Sequence, residues 1–365
     1  MNDPDRFVRM LNAIGKYTAG NEGHSPEYVR LSPIAAEVCG LTPDNSGAAA
    51  RSGCLNLILA YPERCLASCS YCGLGHGGDG ADGPAQERGR LPVYPLPQII
   101  AASRKQKGLA RLCISMVTHP RAVDDTLTLV EQLTAEPGLP VSLLLNPTVM
   151  DSGDLELLRD AGADHVAVAV AAAAPQLFDR DRGAGVGGPH RWQRYWLELE
   201  RAASTFGRGR FSCHLIAGLG ETERQMMETV QRVHELGGVS CLHPFHPHDS
   251  NSCPAGQFRR VQLGRFLINY GLASWNRMEF DEDDRITGFG LAGLPLDELV
   301  GSGRPFMACA CPGMEGKCIC GLSFGGAING LSNPLVIDTG DIQSIRKQLA
   351  TYLAVREPWS PALNR

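Results

Sequence analysis

The feature that most constrains the fold is a regular alternation of short apolar runs with segments of helical spacing, which extends from about residue 54 to residue 270. Short apolar runs are typical of buried strands, and their alternation with helices is typical of a parallel α/β sheet. The predicted strands are residues 55–61, 112–117, 141–145, 165–171, 211–217 and 239–244. Six such β/α units predict a partial (β/α)6 barrel of the TIM type rather than a closed barrel of eight strands.

The helices of these units are predicted at residues 96–107, 122–134, 154–161, 188–206, 221–236 and 257–270. Before the first strand, residues 5–17 and 26–39 have helical spacing, and a polar link rich in Gly and Ala follows at 42–53. We therefore expect three parts: an N-terminal helical cap at 1–50, the barrel at 51–290, and a C-terminal extension at 291–365 that contains a group of cysteines.

Three cysteines follow the first predicted strand at spacings of four and three residues, as Cys65, Cys69 and Cys72. In a chain with 13 cysteines among 365 residues, chance alone would give such a triple roughly 0.02 times. A short loop can bring three thiolates onto one face, where they can hold three irons of a [4Fe–4S] cube and leave the fourth iron open to a small molecule. The alternatives are a disulfide and a zinc site, for which His76 would be the fourth ligand.

The composition argues against several classes of partner. The net charge is −5, and no basic block is long enough to suggest nucleic acid. No apolar stretch reaches the length of a membrane span, and the N-terminus is polar. The cysteines are odd in number and several lie in apolar strands, which favours metal ligation and buried thiols over disulfides. We expect a cytoplasmic iron–sulfur protein.

Tyr71 stands directly before the last cysteine of the triple. With this aromatic residue, the motif resembles the signature of the radical S-adenosylmethionine (SAM) enzymes. The resemblance implies that the amino and carboxylate groups of SAM chelate the open iron, with Tyr71 beside the cofactor. It also implies that an electron from the cluster cleaves SAM to a 5′-deoxyadenosyl radical, and that a donor such as ferredoxin or flavodoxin supplies this electron.

A second motif, Gly218-Leu219-Gly220-Glu221-Thr222, directly follows the fifth predicted strand. Glycines there let the backbone approach a ligand, and Glu221 would open the next helix at its positive end, although a purely structural turn is equally consistent. The segment resembles the Gly-rich motif of the same family, which implies that Gly218, Gly220 and Glu221 line the bound SAM. His214 stands where that family often has Gly.

Four further cysteines form two C-x-C pairs in the C-terminal part, as Cys309, Cys311, Cys318 and Cys320. Gly313 and Gly316 lie between the pairs and favour a tight reversal that would bring the pairs together. Three interpretations stay open: a second iron–sulfur cluster, one zinc ion, or thiols of which only some or none bind metal.

Several segments together are similar to the archaeal and bacterial split lipoyl synthases, which are relatives of biotin synthase. These segments are residues 54–59, 65–74, 114–121, 182–192, 214–222, 259–263 and 305–313. The resemblance implies sulfur insertion into unactivated C–H bonds of a protein-bound octanoyl chain, with a second cluster as the sulfur source. A lipoyl-carrier protein or a second synthase subunit is the partner that it implies.

The chain departs from that family at places that matter for substrate and cofactor. Relatives carry an Asp, a contact of the SAM ribose, where this chain has Ala171, and residues 245–250 and 318–322 also differ from the family pattern. Two other functions therefore stay open. One is a radical SAM modification of another small molecule, such as a tetrapyrrole, without sulfur transfer. The other is a non-catalytic iron–sulfur protein derived from the family.

Other residues carry weaker signals. Cys113 and Cys213 lie on predicted strands and are expected to be buried inert thiols, although biotin synthase places a cluster ligand on its second strand. His190 and Arg191, at the start of a predicted helix, would reach an anionic group such as the SAM carboxylate. Trp192, Tyr195 and Trp196 on that helix are expected to pack in the core or on the exterior of the barrel. The cysteines that belong to no motif are Cys39, Cys241 and Cys253.

Overall fold

A computed structural model describes residues 23–43, 53–63, 65–75, 91–245, 253–291, 296–307, 309, 311 and 337–353. Several sequence predictions lie outside these residues. They are the helix at 5–17, His76 as a zinc ligand, most of the stretch 245–250, and Cys318 and Cys320 as metal ligands.

The core of the fold is one sheet of eight strands in the order β3-β1-β2-β4-β5-β6-β7-β8. From β2 to β8 every neighbouring pair is parallel, whereas β1 pairs antiparallel with both β2 and β3. The strands are β1 Tyr28–Leu31, β2 Cys54–Leu59, β3 Val93–Pro95, β4 Arg111–Ser115, β5 Val141–Leu145, β6 Ala163–Ala171, β7 Phe211–Ala217 and β8 Val239–Pro244. The six parallel strands confirm the predicted partial barrel, and within the described residues the sheet does not close on itself.

The helices follow the strands in turn, as a β/α barrel requires. They are α1 Pro33–Val38, α2 Leu96–Ser103, α3 Ala122–Ala135, α4 Asp154–Asp160, α5 Pro175–Asp181, α6 Trp192–Phe206, α7 Glu223–Glu235, α8 Ala255–Asn269, α9 Leu296–Gly301 and α10 Thr339–Leu353. A short two-stranded ribbon, β9 Glu279–Phe280 and β10 Ile286–Gly288, follows α8. Among the residues described, no helix combines the length and the apolarity that crossing a bilayer requires.

The two faces of the parallel strands differ in chemistry, because successive side chains of a strand point to opposite faces. On β6, Val168 belongs to the large core between sheet and helices, whereas Ala167 and Ala169 belong to a small separate cluster on the other face. On that same inner face, Cys113 of β4 contacts Cys54 of β2 in a further separate cluster. The inner face of the barrel therefore carries the small side chains of β6 and the thiols of β2 and β4.

The observed secondary structure differs from the prediction in several places. The helix predicted at 26–39 is instead strand β1 followed by helix α1, because Val29 and Leu31 alternate into the core and Ser32 caps a helix that begins at Pro33. Strand β3 and helix α5 were not predicted. The helix predicted from residue 221 begins at Glu223, because Thr222 is its N-cap and forms a capping box with Gln225.

The C-terminal part packs against α8, which is why almost every residue of α8 is buried. Arg259 donates to Gln348 of α10 at 2.9 Å, and Gln262 donates to the carbonyl of Phe306 at 3.4 Å. On the other side, Arg260 forms a buried ion pair with Glu223 of α7. These contacts hold the segment that precedes Cys309 against the barrel.

Candidate cofactor site

The loop from Cys65 to Gly75 follows β2 and lies at the carboxyl ends of the parallel strands. Its two ends meet, because the Cys65 N–H donates to the Leu74 carbonyl at 2.9 Å and Cys65 forms a β-bridge with Gly75. A Cβ on Gly75 would lie 1.8 Å from the Ala67 carbonyl oxygen, so only glycine fits this closure. The loop is therefore a closed turn.

Two further contacts tie the loop to the barrel. The Leu66 N–H donates to the Thr118 carbonyl at 3.0 Å, and the Thr118 N–H donates to Cys65 Sγ at 3.3 Å. On the other side, the Ser70 N–H donates to the carbonyl of Asp181 at 2.8 Å, and Ser70 Oγ donates to Asp181 Oδ1 at 3.1 Å. The loop is thus anchored both after β4 and at the end of α5.

The three thiols of the loop are half-buried and lie within electrostatic reach of one another. Burial raises the pKa of Cys65, and a charge on Cys72 raises it further. Burial raises the pKa of Cys69 to about 12, the Arg182 guanidinium opposes this rise, and charges on Cys72 and Cys65 add to it. Each thiolate therefore makes its neighbours harder to ionise, and a cation that binds all three would remove this cost.

The spacing of the thiols bears on what they could hold. Among the residues described, no three His, Cys, Asp or Glu side chains converge closely enough to bind a single metal ion. An iron–sulfur cube makes a different demand, because each of its thiolates binds a different iron. Three neighbouring thiolates on one anchored loop fit that demand better than they fit one zinc ion.

Arg182 is a buried cation beside this loop, with 9% of its surface exposed. Its Nη1 donates to the Tyr71 hydroxyl at 3.3 Å, and its Nη2 donates to the Tyr195 hydroxyl at 2.8 Å. None of the ion pairs in the described part of the chain includes Arg182, and its Nε has no hydrogen-bond partner there. A buried guanidinium without a carboxylate is costly unless an anion lies nearby, and Cys69 and Cys72 would supply that anion once they bind a metal as thiolates.

Tyr195 lies in the core, as expected, and its hydroxyl belongs to a polar network. Its hydroxyl donates to Asn146 Oδ1 at 3.1 Å and lies 3.0 Å from His190 Nδ1. Asn146 in turn donates to Thr118 Oγ1 at 2.8 Å, next to the cysteine loop. His190 is held within this network, and burial lowers its pKa well below the ordinary value. No sequence pattern indicated a role for Asn146, which directly follows β5.

The glycine-rich motif lies after β7, at the same end of the barrel. Gly218 and Gly220 have positive φ angles of 102° and 101°. A Cβ on Gly218 would lie 2.7 Å from the Cβ of Cys253, so packing alone requires glycine there. The Gly218 N–H donates to Glu221 Oε1 at 2.7 Å, whereas Glu221 Oε2 is buried without a partner among the described residues. Burial raises the pKa of Glu221 to about 7.

Ala171 ends β6 with a positive φ of 68°, a conformation that is rare for residues other than glycine. The pairing of β6 with β7 shifts between Val168 and Ala171. Ala171 is buried and brings only a methyl group to this end of the barrel. Local backbone strain of this kind is concentrated at functional sites.

The described cysteines of the C-terminal group, Cys309 and Cys311, contact residues of two different strands, β8 and β5. Cys309 Sγ accepts hydrogen bonds from the Leu242 N–H at 3.2 Å and from Arg265 Nη1 at 3.4 Å. Cys311 Sγ lies 3.9 Å from Ser142 Oγ on β5. The pKa of Cys309 falls to about 6, because a hydrogen bond with Cys241, the Arg265 charge and the Leu242 N–H outweigh its burial.

The fold and the site together define a partial β/α barrel with a thiol-bearing loop at the carboxyl ends of its strands. Residues 60–233 match the family model described as the Radical SAM superfamily. That family implies a [4Fe–4S] cluster and SAM as cofactors. No curated protein matches the chain.

The solved structures that the chain matches are distant in sequence. HydG, a maturase of the [FeFe]-hydrogenase, is 12% identical with a TM-score of 0.46, over 74% of this chain and 66% of that chain. The radical SAM methyltransferase TsrM from Kitasatospora setae is 14% identical with a TM-score of 0.38, over 84% and 54%. The HMG-CoA lyase from Brucella melitensis is 17% identical with a TM-score of 0.33, over 49% and 62%. The chain covers less than two thirds of each of these proteins.

Proposed function

We propose that this chain is a radical SAM enzyme that abstracts hydrogen from an unactivated carbon of its substrate and then inserts sulfur. The observation that carries the first part is the anchored loop with Cys65, Cys69 and Cys72, which we assign as the ligands of a [4Fe–4S] cluster. When bound, the cluster supplies the electron that cleaves SAM to a 5′-deoxyadenosyl radical, and an open iron to which SAM binds.

The chain's own residues position the three thiols. The Thr118 N–H donates a hydrogen bond to Cys65 Sγ. Asp181 accepts a hydrogen bond from Ser70, which stands in the sequence between Cys69 and Cys72. Because these contacts are made by the protein alone, the loop needs little rearrangement when a cofactor binds. Arg182 places a positive charge beside Cys69 and Cys72, where it offsets the negative charge that three thiolates and an added electron bring.

The residues proposed to line SAM are Tyr71, Gly218, Gly220 and Glu221. Tyr71 is buried, and its hydroxyl accepts a hydrogen bond from Arg182. The Tyr71 side chain is therefore held in one position beside the cysteine loop. Glu221 Oε2 has no partner among the described residues, so it can accept a hydrogen bond from an N–H or O–H of the bound cofactor. Such a donor would remove the cost of burying this oxygen.

Sulfur insertion is the second part of the proposal, and it requires a sulfur source. We assign this role to a second cluster, whose proposed ligands are Cys309, Cys311, Cys318 and Cys320. Its support is that Cys309 contacts β8 while Cys311 contacts β5, so the segment that carries them reaches into the barrel. The substrate class that follows from the sequence resemblance is an octanoyl chain on a lipoyl-carrier protein, with a second synthase subunit as a further partner. Each cleavage consumes one electron, for which ferredoxin or flavodoxin is the proposed donor.

The experiment is anaerobic reconstitution followed by counts of iron and acid-labile sulfide per chain. Cys65→Ala, Cys69→Ala and Cys72→Ala should each lose about four irons and all formation of 5′-deoxyadenosine. Cys309→Ala and Cys311→Ala should lose a second set of about four irons and still form 5′-deoxyadenosine. Unchanged iron in the second pair of variants would reject the second cluster.

One observation favours a rival function. Ala171 brings no hydrogen-bonding group to the place where relatives carry an Asp, so a sugar hydroxyl there must find another partner. The rival is an iron–sulfur protein that keeps the cluster without productive SAM binding. Formation of 5′-deoxyadenosine in the presence of dithionite would exclude it.

A further inference from the structure

Strand β8 is the last strand of the sheet, so one of its edges has no neighbouring strand among the described residues. The backbone groups on that edge are satisfied by side chains. The Ser240 carbonyl accepts from Asn269 Nδ2 at 2.9 Å and from Arg265 Nη1 at 3.3 Å. The next outward-pointing group, the Leu242 N–H, donates to Cys309 Sγ at 3.2 Å. A sulfur atom thus stands where a further strand would place a carbonyl oxygen.

Cys241 shares this site with Cys309. The two thiols are hydrogen-bonded to each other, and only 2% of Cys241 and 7% of Cys309 is exposed. The alternation of β8 sends Leu242 into the main core and turns Cys241 to the opposite, inner face. Two buried thiols from distant parts of the chain therefore meet at the inner edge of the barrel.

Arg265 adds a positive charge to this pair. Its Nη1 donates to Cys309 Sγ at 3.4 Å, and its Nη2 donates to the Pro305 carbonyl at 3.2 Å. Arg265 is buried, and none of the ion pairs in the described part of the chain includes it. Arg265 therefore places its positive charge against the Cys309 sulfur, where it would stabilise a metal-bound thiolate. Metal-bound thiolates are surrounded in this way by N–H donors and cations.

We propose that Cys241 is a ligand of the second iron–sulfur cluster, together with Cys309. The inference rests on the proposed function, and it adds a strand residue to a ligand set that the sequence placed wholly in the C-terminal group. It also puts the second cluster at the inner edge of β8 rather than in a separate extension. Cys311, two residues beyond Cys309, lies beside Ser142 of β5 and is thus also turned toward the strands.

The same contacts have a purely structural interpretation, in which Cys309 only closes the free edge of β8. The two interpretations differ in the kind of atom that they require where the Cys309 sulfur accepts from the Leu242 N–H. Edge closure requires an acceptor, which a serine hydroxyl also provides, whereas iron ligation requires a thiolate. Cys309→Ser and Cys241→Ser therefore separate the two.

The test is anaerobic reconstitution with ⁵⁷Fe, read by iron and sulfide counts and by Mössbauer spectroscopy. Wild type is compared with Cys241→Ser, Cys241→Ala and Cys309→Ser. The matched control is Cys213→Ala, because Cys213 is equally buried on the neighbouring strand β7 but belongs to the outer core. We expect each Cys241 and Cys309 variant to lose about half of the iron and to keep the spectrum of the first cluster, while the control keeps both clusters.

The outcomes separate this inference from the proposed function. If Cys309→Ser loses iron and both Cys241 variants keep it, the second cluster stands and the role of Cys241 is wrong. If none of these variants loses iron, no second cluster is bound at Cys309, and the assignment of Cys241 as its ligand is wrong as well. The retained spectrum of the first cluster shows in each case that the barrel has folded.

Discussion

The Arg182 guanidinium donates to the Tyr71 hydroxyl at 3.3 Å, which joins a buried positive charge to the aromatic residue of the cysteine loop. Arg182 also donates to Tyr195, whose ring lies 4.4 Å from the guanidinium carbon. Through Tyr195 and Asn146 the same network reaches Thr118, which holds Cys65. The charge beside the loop and the anchor of the loop are therefore parts of one hydrogen-bonded unit.

The first prediction concerns that charge. Arg182→Gln should shift the midpoint potential of the bound cluster to more negative values, because a buried cation no longer stabilises the added electron. Redox titration followed by EPR measures this shift. We also expect the rate of 5′-deoxyadenosine formation to fall roughly tenfold or more, which corresponds to ~1.4 kcal/mol. Arg159→Gln is the control, because Arg159 is exposed on α4 and contacts Asp160 and the Thr205 carbonyl. Equal potentials in the two variants would refute the electrostatic role.

The second prediction concerns the closure of the loop. Gly75→Ala should lower the free energy of unfolding by roughly 1–3 kcal/mol and abolish incorporation of the first cluster, because its Cβ would collide with the Ala67 carbonyl. Chemical denaturation and iron counts measure the two effects. In the control Gly108→Ala the new Cβ meets no atom within 4 Å, so both quantities should stay at the wild-type value. Normal iron content in Gly75→Ala would mean that the loop does not need its observed closure.

The third prediction concerns Glu221, whose pKa burial raises to about 7 from an ordinary value of 4.5. A raised carboxyl pKa means that the folded protein binds more protons than the unfolded chain between these two pH values. The free energy of unfolding should therefore fall as pH rises through this window. Between pH 5.5 and 7 the contribution is about 2 kcal/mol. Glu221→Gln should remove it, which denaturation at both pH values would show. An identical pH dependence in wild type and variant would mean that Glu221 titrates normally.

The sequence was sufficient to predict the parallel strands, because their apolar runs are bounded by glycine, proline or polar residues. It predicted the ends of β5, β7 and β8 as the structure has them. It failed for β1, whose four residues are too short to show a period that differs clearly from that of a helix. It also missed α5, because a run of alanines continues from β6 across the turn and hides the helix start at Pro175.

The candidate site was predictable only where its residues are close together in sequence. The cysteine loop and the glycine-rich motif are local patterns, and both lie at the carboxyl ends of the strands, as expected from the order of strands and helices. The network of Arg182, Tyr195 and Asn146 joins three separate β/α units, so no local pattern contains it. The contact of Cys241 with Cys309 was hidden for the same reason, because the chain between them spans α8 and the ribbon that follows it.

The most direct test of the central claim is the EPR spectrum of the anaerobically reconstituted, dithionite-reduced protein before and after addition of SAM. Three thiolates on the loop leave one iron without a protein ligand, so SAM should change the signal and 5′-deoxyadenosine should form. Cys69→Ala should show neither effect. A cluster signal that SAM leaves unchanged, with no 5′-deoxyadenosine, would contradict the claim that this loop presents an open iron.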